Sequence, residues 1–165
     1  MTMIYPPPIF AIDPGPETSG FVRYECGRVC ATKKAATLDQ VRAYIESLPS
    51  HTIIACERVQ SYGIAGVSLL RTSEVVGRIQ EICRDRELVL MFRREVLQEL
   101  DISGKGNRDA LVRQRCIEIH GGPKAAKGTR HDRGPLYGVA GHAWQALGLG
   151  LAVLAKRERD LRSAA

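Results

Sequence analysis

Residues 9–16 of the chain are Ile-Phe-Ala-Ile-Asp-Pro-Gly-Pro, an apolar run that ends in an acid and a turn sequence. The apolar run predicts a strand buried on both faces, and the Asp-Pro-Gly sequence predicts the turn that ends it. Burying the carboxylate of Asp13 there costs several kcal/mol unless a partner compensates its charge. Alternatively, Asp13 caps backbone amides of its own turn. Asp13 is therefore the first candidate functional residue.

The sequence that follows predicts an α/β fold. Residues 20–25 alternate like a strand, and Cys26-Gly27-Arg28 predicts a hairpin turn into a third strand over residues 29–32. Further on, apolar periodicity predicts helices over residues 38–47 (with Thr37 as N-cap), 64–84, 109–120 and 141–162, strands over residues 51–56 and 88–92, and a basic loop over residues 121–134. Three meandering strands thus precede strands that alternate with helices. This order predicts a mixed five-stranded sheet, three antiparallel strands and then parallel ones, flanked by helices.

Glu57 repeats the pattern of Asp13, because it directly follows the short apolar strand Ile-Ile-Ala-Cys. If the two strands are parallel neighbours, the two side chains lie about 5 Å apart. Two carboxylates that close would repel each other and raise one pKa, a conflict that a divalent cation removes. Such a cation also supplies what phosphodiester cleavage needs, an activated water and neutralised phosphate charge. The alternative for Glu57 alone is a salt bridge to Arg58 or to another surface charge.

His142 is the third candidate, since it opens the last predicted helix one turn before Gln145. A histidine at that position can point at the carboxyl ends of the central strands. The alternative is a structural histidine that caps the helix or is partly buried. We expect Asp13, Glu57 and His142 to be the catalytic residues.

The charge balance permits a polyanionic partner. Lys and Arg number 24 against 18 acidic residues, which gives a net charge of +6. The candidate DNA-contact residues are Arg93, Arg94, Lys105, Arg108, Lys124, Lys127 and Arg130, together with Tyr62, whose ring could stack on an unpaired base. For each basic residue the alternative is a solvated surface position, and for Tyr62 it is packing on the protein itself.

Length and hydropathy bound the remaining possibilities. The 165 residues are the size of one domain, residues 1–165. No apolar run reaches the roughly 18 residues that a membrane span needs, and the five scattered cysteines are typical of reduced thiols. We expect a cytoplasmic protein with no membrane partner.

Four segments resemble the RuvC-type Holliday-junction resolvases of the ribonuclease H-like superfamily, in the order in which that family has them. They are Ile12-Asp13-Pro14-Gly15; Cys56-Glu57 with Val59, Ser61-Tyr62-Gly63 and the helix containing Val76-Gly77-Arg78-Ile79; Gly104-Lys105-Gly106-Asn107-Arg108-Asp109; and residues 134–139 with His142-Ala143-Trp144. The last segment looks most like phage-encoded and prophage-encoded relatives. The predicted element order is also the one that a ribonuclease H-like fold requires.

The resemblance implies a homodimeric crossover junction endodeoxyribonuclease that uses Mg²⁺ or Mn²⁺ to nick four-way DNA junctions, in the cytoplasm of a bacterial or phage-infected host cell. Asp13 would bridge two ions, Glu57 would hold one, and His142 would bind metal or assist proton transfer. The helix over residues 64–84 would supply the dimer contact.

One position departs from the family pattern. These resolvases usually carry an Asp three positions after the Asp or His of the last helix, where this chain has Gln145. Gln145 itself, Asp109 and Asp132 are the candidates to complete the metal site. Asp109 is alternatively an N-cap or first-turn residue, and Asp132 a solvated loop residue. With so few acidic ligands, we predict weak Mg²⁺ binding and good activity with Mn²⁺, which accepts imidazole more readily.

Three other functions stay open on the sequence alone. A nuclease of the same fold could act on branched or flap DNA, or on RNA hybrids. A junction-binding protein with little catalysis is a second alternative, because Gln145 weakens the metal site. A nucleotide-dependent phosphotransferase ranks last, because 165 residues leave no room for a second lobe.

Overall fold

The structure is a computed structural model that describes residues 6–164. Its elements are β1 (Ile9–Asp13), β2 (Ser19–Glu25), β3 (Arg28–Ala36), α1 (Leu38–Ser47), β4 (Ile53–Arg58), α2 (Val67–Ile82), β5 (Leu88–Phe92), α3 (Arg93–Glu99), α4 (Arg108–Ile119), α5 (Pro123–Lys127) and α6 (Ala143–Ser163). Within these residues no helix combines the length and the apolar character that a membrane crossing requires.

The five strands form one mixed sheet in the order β3-β2-β1-β4-β5. β1 pairs antiparallel with β2, and β2 pairs antiparallel with β3. β1 pairs parallel with β4, and β4 pairs parallel with β5. The predicted fold class is confirmed, and β1 lies at the centre of the sheet, where both of its neighbours bury it.

Two apolar layers cover the two faces of the sheet, and alternate residues of β1 point into different layers. Ile9 and Ala11 pack with residues of α3, α4 and α6. Phe10 and Ile12 pack with residues of α1 and α2. By this alternation Asp13, the next residue of β1, points toward the layer of α3, α4 and α6.

β4 repeats the same alternation in the same register. Ile53 and Ala55 belong to the layer of α6, whereas Ile54 and Cys56 belong to the layer of α1 and α2. Ile12 pairs with Cys56 in the parallel ladder. The next residue of each strand, Asp13 and Glu57, therefore lies beside the other and faces the same layer.

The sequence prediction was wrong at several boundaries. β3 continues to Ala36, four residues beyond the expected strand, and α2 begins at Val67 rather than at residue 64. The segment over residues 121–134 was expected to be a loop, yet it contains α5, which starts with a proline at the first helical position. α3 was also not expected, because it follows β5 with no intervening turn residue. Thr37 does cap α1, and its side chain accepts a hydrogen bond from Gln40.

Candidate active site

Asp13 and Glu57 form the floor of a cavity of about 500 Å³ at the carboxyl ends of β1 and β4. Each side chain is only 17% exposed. The cavity is walled by the turn after β1, by the start of α3, by the first turn of α4 and by the start of α6, which contribute Pro14, Glu17, Arg93, Asp109, His142 and Gln145. The predicted meeting of two carboxylates at neighbouring strand ends is what the structure shows.

Burial raises the pKa of both carboxyl groups. The pKa of Asp13 rises to about 6, although the nearby charges of His142 and Arg93 oppose the rise. The pKa of Glu57 rises to about 7, with Arg93 opposing and Asp13 adding to the effect of burial. A pair of acids that each resist ionisation near neutral pH favours a site that takes up a cation.

His142 lies directly before α6, and its side chain is 74% exposed. Its Nδ1 lies 3.2 Å from Oδ2 of Asp13, so a proton on Nδ1 can be donated to that carboxylate. The ring's other nitrogen is then left for solvent or substrate. This placement agrees with the expectation that His142 points at the ends of the central strands.

Gly20 makes the approach of His142 possible. It is the β2 residue paired with Asp13, so it lies beside the site floor. A Cβ at this position would lie 2.5 Å from the carbonyl carbon of His142 and 2.7 Å from its Cβ. Any larger residue would therefore push the start of α6 away from Asp13.

Arg93 occupies the other side of the cavity. It is the first residue of α3 and is only 22% exposed. Its guanidinium donates to Oε2 of Glu57 at 3.2 Å and to Oε1 of Gln145 at 2.6 Å, and it also pairs with Asp109. Sequence reasoning assigned Arg93 to DNA contact. The structure places it among the acidic residues, where it supplies positive charge to Glu57 and Asp109.

Gln145 and Asp109 both reach the site, whereas Asp132 does not line it. Gln145, 7% exposed, donates from Nε2 to the main-chain oxygen of Asp109 at 3.2 Å, which ties α4 to α6. Asn107 caps α4, so the Asp109 carboxylate is free to pair with Arg93. Asp132 is exposed and lines a separate cavity with Gly121 and Lys124.

The donors fit a divalent cation in kind, although their present arrangement does not surround one. Four carboxylates (Asp13, Glu17, Glu57 and Asp109) and an imidazole border the cavity, and hard oxygens with an imidazole nitrogen are ligands that Mn²⁺ accepts. Among residues 6–164, however, no three acidic, histidine or cysteine side chains converge closely enough to hold a metal ion. Glu57 and Asp109 instead direct oxygens at Arg93.

The other candidate DNA-contact residues do not line the cavity. Tyr62 is 81% exposed in the loop after β4. The basic candidates are Arg94 in α3, Lys105 in the loop before α4, Arg108 at the start of α4, Lys124 and Lys127 in α5, and Arg130 in the following loop. All of these basic residues are exposed except Lys127, which is half-buried with its ammonium 5.7 Å from the centre of the Trp144 ring.

A second cleft adjoins the site, and sequence reasoning missed one of its basic residues. Asp109, His142 and Gln145 line this cleft as well as the carboxylate cavity, and Arg113 and Trp144 extend it. The Arg113 guanidinium lies 5.4 Å from the centre of the Trp144 ring. The available signal was its position four residues after Asp109, which places both side chains on one face of α4.

Comparisons with known proteins agree with this architecture. No protein-family model matches the chain, and no curated protein sequence does. Among solved structures, Thermus thermophilus RuvC in complex with a Holliday junction substrate is 14% identical, with a TM-score of 0.66 over 93% of this chain and 96% of that one. A second Thermus thermophilus RuvC structure is 15% identical, with a TM-score of 0.65 over 92% of this chain and 96% of that one. The predicted resemblance is thus confirmed at the level of the fold, which is RuvC-like.

Proposed function

We propose that this chain is a metal-dependent endonuclease that hydrolyses phosphodiester bonds in four-way DNA junctions. One observation carries the proposal: the half-buried carboxylates of Asp13 and Glu57 lie side by side on one face of a RuvC-like sheet, in an open cavity. A cation relieves the repulsion between neighbouring desolvated carboxylates, and a divalent cation serves phosphodiester cleavage.

The residues that would hold Mg²⁺ or Mn²⁺, with two ions expected, are Asp13, Glu57 and His142, joined by Asp109. Asp13 and Glu57 come from neighbouring strands, so the sheet fixes the spacing of their backbones. Asp109 and His142 come from the starts of two helices that face the same cavity. A bound divalent cation would lower the pKa of the attacking water and neutralise charge that develops on the phosphate.

Alternatively to binding the cation, the imidazole of His142 would transfer a proton beside the scissile phosphate. Its Nδ1 contacts Asp13, which orients the ring, and its exposed position leaves the other nitrogen accessible to substrate. An oriented histidine can donate a proton to the leaving oxygen or hold one taken from water. Asp13 would therefore both bind the cation and position the histidine.

The exposed basic residues would bind the DNA backbone, and α2 would join two copies of the chain. Four-way junctions present phosphates on several arms, which suits scattered lysines and arginines better than a single reading helix.

On the other face of the sheet, Val67 and Leu70 of α2 and Ile64 just before it are exposed apolar residues. An apolar patch of this kind supports a homodimer with two sites.

A junction-binding protein with little catalysis is the second candidate, and the pairing of Arg93 favours it. Arg93 already pairs with Glu57 and Asp109 and offsets part of their negative charge. A site whose acids keep this partner would bind DNA phosphates but would not hold a catalytic ion.

A cleavage assay with matched substrates tests the proposal. End-labelled four-way junction, Y-shaped DNA, linear duplex and RNA–DNA hybrid of the same sequence are incubated with the protein and Mn²⁺ or Mg²⁺. We expect cleavage of the four-way junction above all others, faster with Mn²⁺, and retained junction binding but no cleavage in Asp13→Asn. Preferred cleavage of the Y-shaped or hybrid substrate would contradict the proposal of a four-way junction as the substrate and would assign the protein to a different substrate class. Binding without cleavage by the unmodified chain would support the second candidate.

A further inference from the structure

The guanidinium of Arg93 pairs with the acidic residues on the α3 side of the cavity. Arg93 contacts three different acceptors, one each from β4, α4 and α6: Glu57, Asp109 and Gln145. These elements are far apart along the chain, so the cluster exists only in the folded protein. Contacts to three elements distinguish this residue from a surface arginine with one loose ion pair.

The backbone of Arg93 is held in place by its own helix start. Glu95 accepts a hydrogen bond from the main-chain nitrogen of Phe92 at 2.8 Å, which fixes the first turn of α3. The acceptor Gln145 is itself buried and bonded to the main chain of Asp109. The guanidinium is therefore directed at the acids by fixed surroundings on both sides.

The acceptors of Arg93 are also the oxygens that a divalent cation would use. Oε2 of Glu57 and a carboxylate oxygen of Asp109 point at the guanidinium. A divalent cation on the same oxygen as a guanidinium would bring two positive charges close together, and their repulsion disfavours simultaneous binding. The cation and the guanidinium therefore oppose one another at these two carboxylates.

We propose that Arg93 is the counter-ion of the metal-free site and that it competes with the divalent cation for Glu57 and Asp109. Metal loading then requires the Arg93 side chain to leave the two carboxylates while its backbone stays fixed. The inference rests on the proposed function in one respect, that a divalent cation binds at this cavity.

Direct measurement of Mn²⁺ binding to the metal-free full chain tests this competition. Electron paramagnetic resonance of free Mn²⁺, at about pH 8 so that the acids are ionised, gives the dissociation constant without any cleavage assay. We expect Arg93→Gln to bind Mn²⁺ about tenfold more tightly than the unmodified chain, or more, because the competing charge is gone. Arg94→Gln is the matched control. It removes the same charge from the exposed neighbour, and its affinity should stay within about twofold.

Thermal unfolding of the same proteins gives a second measurement. Without metal, Arg93→Gln should unfold at a lower temperature than the unmodified chain, because Glu57 and Asp109 lose their partner. Mn²⁺ should then raise its unfolding temperature more than it raises that of the unmodified chain. If Arg93→Gln does not fold, Arg93→Lys serves instead. A lysine keeps the charge but lacks the planar fork of donors that fits these acceptors, so Mn²⁺ affinity should again rise, by a smaller factor.

Two results would overturn the inference, and they have different meanings. Equal or weaker Mn²⁺ affinity in the Arg93 variants, with clear binding in the unmodified chain, would show that Arg93 does not compete and would leave the metal site intact. No Mn²⁺ binding in any variant would overturn the competition and the metal dependence of the proposed function together.

Discussion

The two halves of the candidate site differ in the partner that each acid has. In the Asp13 half, Asp13 faces His142, an exposed residue whose Nδ1 lies 3.2 Å from the carboxylate. In the Glu57 half, Glu57 shares with Asp109 a guanidinium that keeps its charge at every physiological pH. Burial raises the pKa of both acids and the charge of Arg93 opposes the rise in both, so the two halves differ in the side chain that is hydrogen-bonded to each acid.

This difference indicates a division of work between the halves. A histidine beside a carboxylate can exchange protons with a substrate, since its free nitrogen is accessible. Arg93, which donates to three acceptors, offsets part of the charge of the acids. Under the inference above, its side chain leaves Glu57 and Asp109 when a divalent cation binds. We therefore expect proton transfer to depend on the Asp13 half and metal affinity to be tuned by the Glu57 half.

The largest expected effect tests whether both halves are needed. Asp13→Asn and Glu57→Gln should each lower the rate of junction cleavage by about 10³-fold or more, because each removes a ligand charge at the reacting centre. Single-turnover cleavage with Mn²⁺ measures the loss. Asp132→Asn is the control, and it should cleave at nearly the normal rate because Asp132 lines a different cavity. Substantial cleavage by Glu57→Gln would mean that the Asp13 half works alone.

The next effect should be confined to the Asp13 half. Gly20→Ala would place a methyl group 2.5 to 2.7 Å from His142 atoms and displace that residue from Asp13. Cleavage should fall by about 10²-fold, as expected for a misplaced catalytic group. His142→Ala should show a loss of the same order. Normal circular dichroism would show that Gly20→Ala is folded, and a cleavage rate close to the unmodified one would contradict the role given to Gly20.

A smaller effect is expected in the pH dependence of the free energy of unfolding, which should differ between Asp13 and Glu57. Burial raises the pKa of Asp13 from 3.8 to about 6 and that of Glu57 from 4.5 to about 7. The metal-free folded state therefore binds more protons than the unfolded state within these windows. Each acid contributes stability that is present below its unfolded pKa and is lost as the pH rises through its folded pKa.

Urea unfolding of metal-free variants measures this loss. Between about pH 4 and pH 6 the stability of Asp13→Asn relative to the unmodified chain should increase by about 2 kcal/mol. For Glu57→Gln the corresponding increase should extend to about pH 7, because the folded pKa of Glu57 is higher. A constant difference across this range would show that the acids are not desolvated as the structure indicates.

The smallest effect concerns residues outside both halves. The α5 region contributes Lys124, Lys127 and Arg130. Neutralising them one at a time should weaken binding by a similar factor for junctions of different sequence. The slope of log affinity against log salt should fall by about one for each phosphate contact removed. Lys156→Gln, near the C-terminal end of α6, is the control and should leave the slope unchanged. An unchanged slope for all three variants would remove α5 from the DNA interface.

The sheet and its acidic strand ends could be predicted because their signals are local. Apolar runs before Asp13 and Glu57 predicted buried strands, and the parallel arrangement then fixed which side chains meet. His142 could be placed because it directly precedes an unusually apolar helix. The positions of Asp13 and Glu57 follow from strand order and alternation, and that of His142 follows from the start of a helix. No side-chain conformation is needed for these predictions.

The partners of these acids could not be predicted, because they depend on side-chain direction. Arg93 and Arg94 are adjacent arginines in the sequence, yet one pairs with the buried acids and the other is exposed against the ring of Phe92. The sequence does not distinguish these two arginines, because no turn residue marks where β5 ends and α3 begins. Asp109 reaches the site only because Asn107 takes the capping role that the sequence also allowed for Asp109.

The pairing of β1 with both early and late parts of the chain has a consequence during synthesis on the ribosome. The hairpin of β1, β2 and β3 can form as soon as it emerges, but the floor of the cavity needs β4, and His142 arrives only with α6. A nascent chain that ends before β4 would hold one acid of the pair, and a chain that ends between β4 and α6 would hold both acids but no histidine. Under the proposed function, we expect such fragments to leave DNA uncut, because the site is completed only when translation has passed the start of α6.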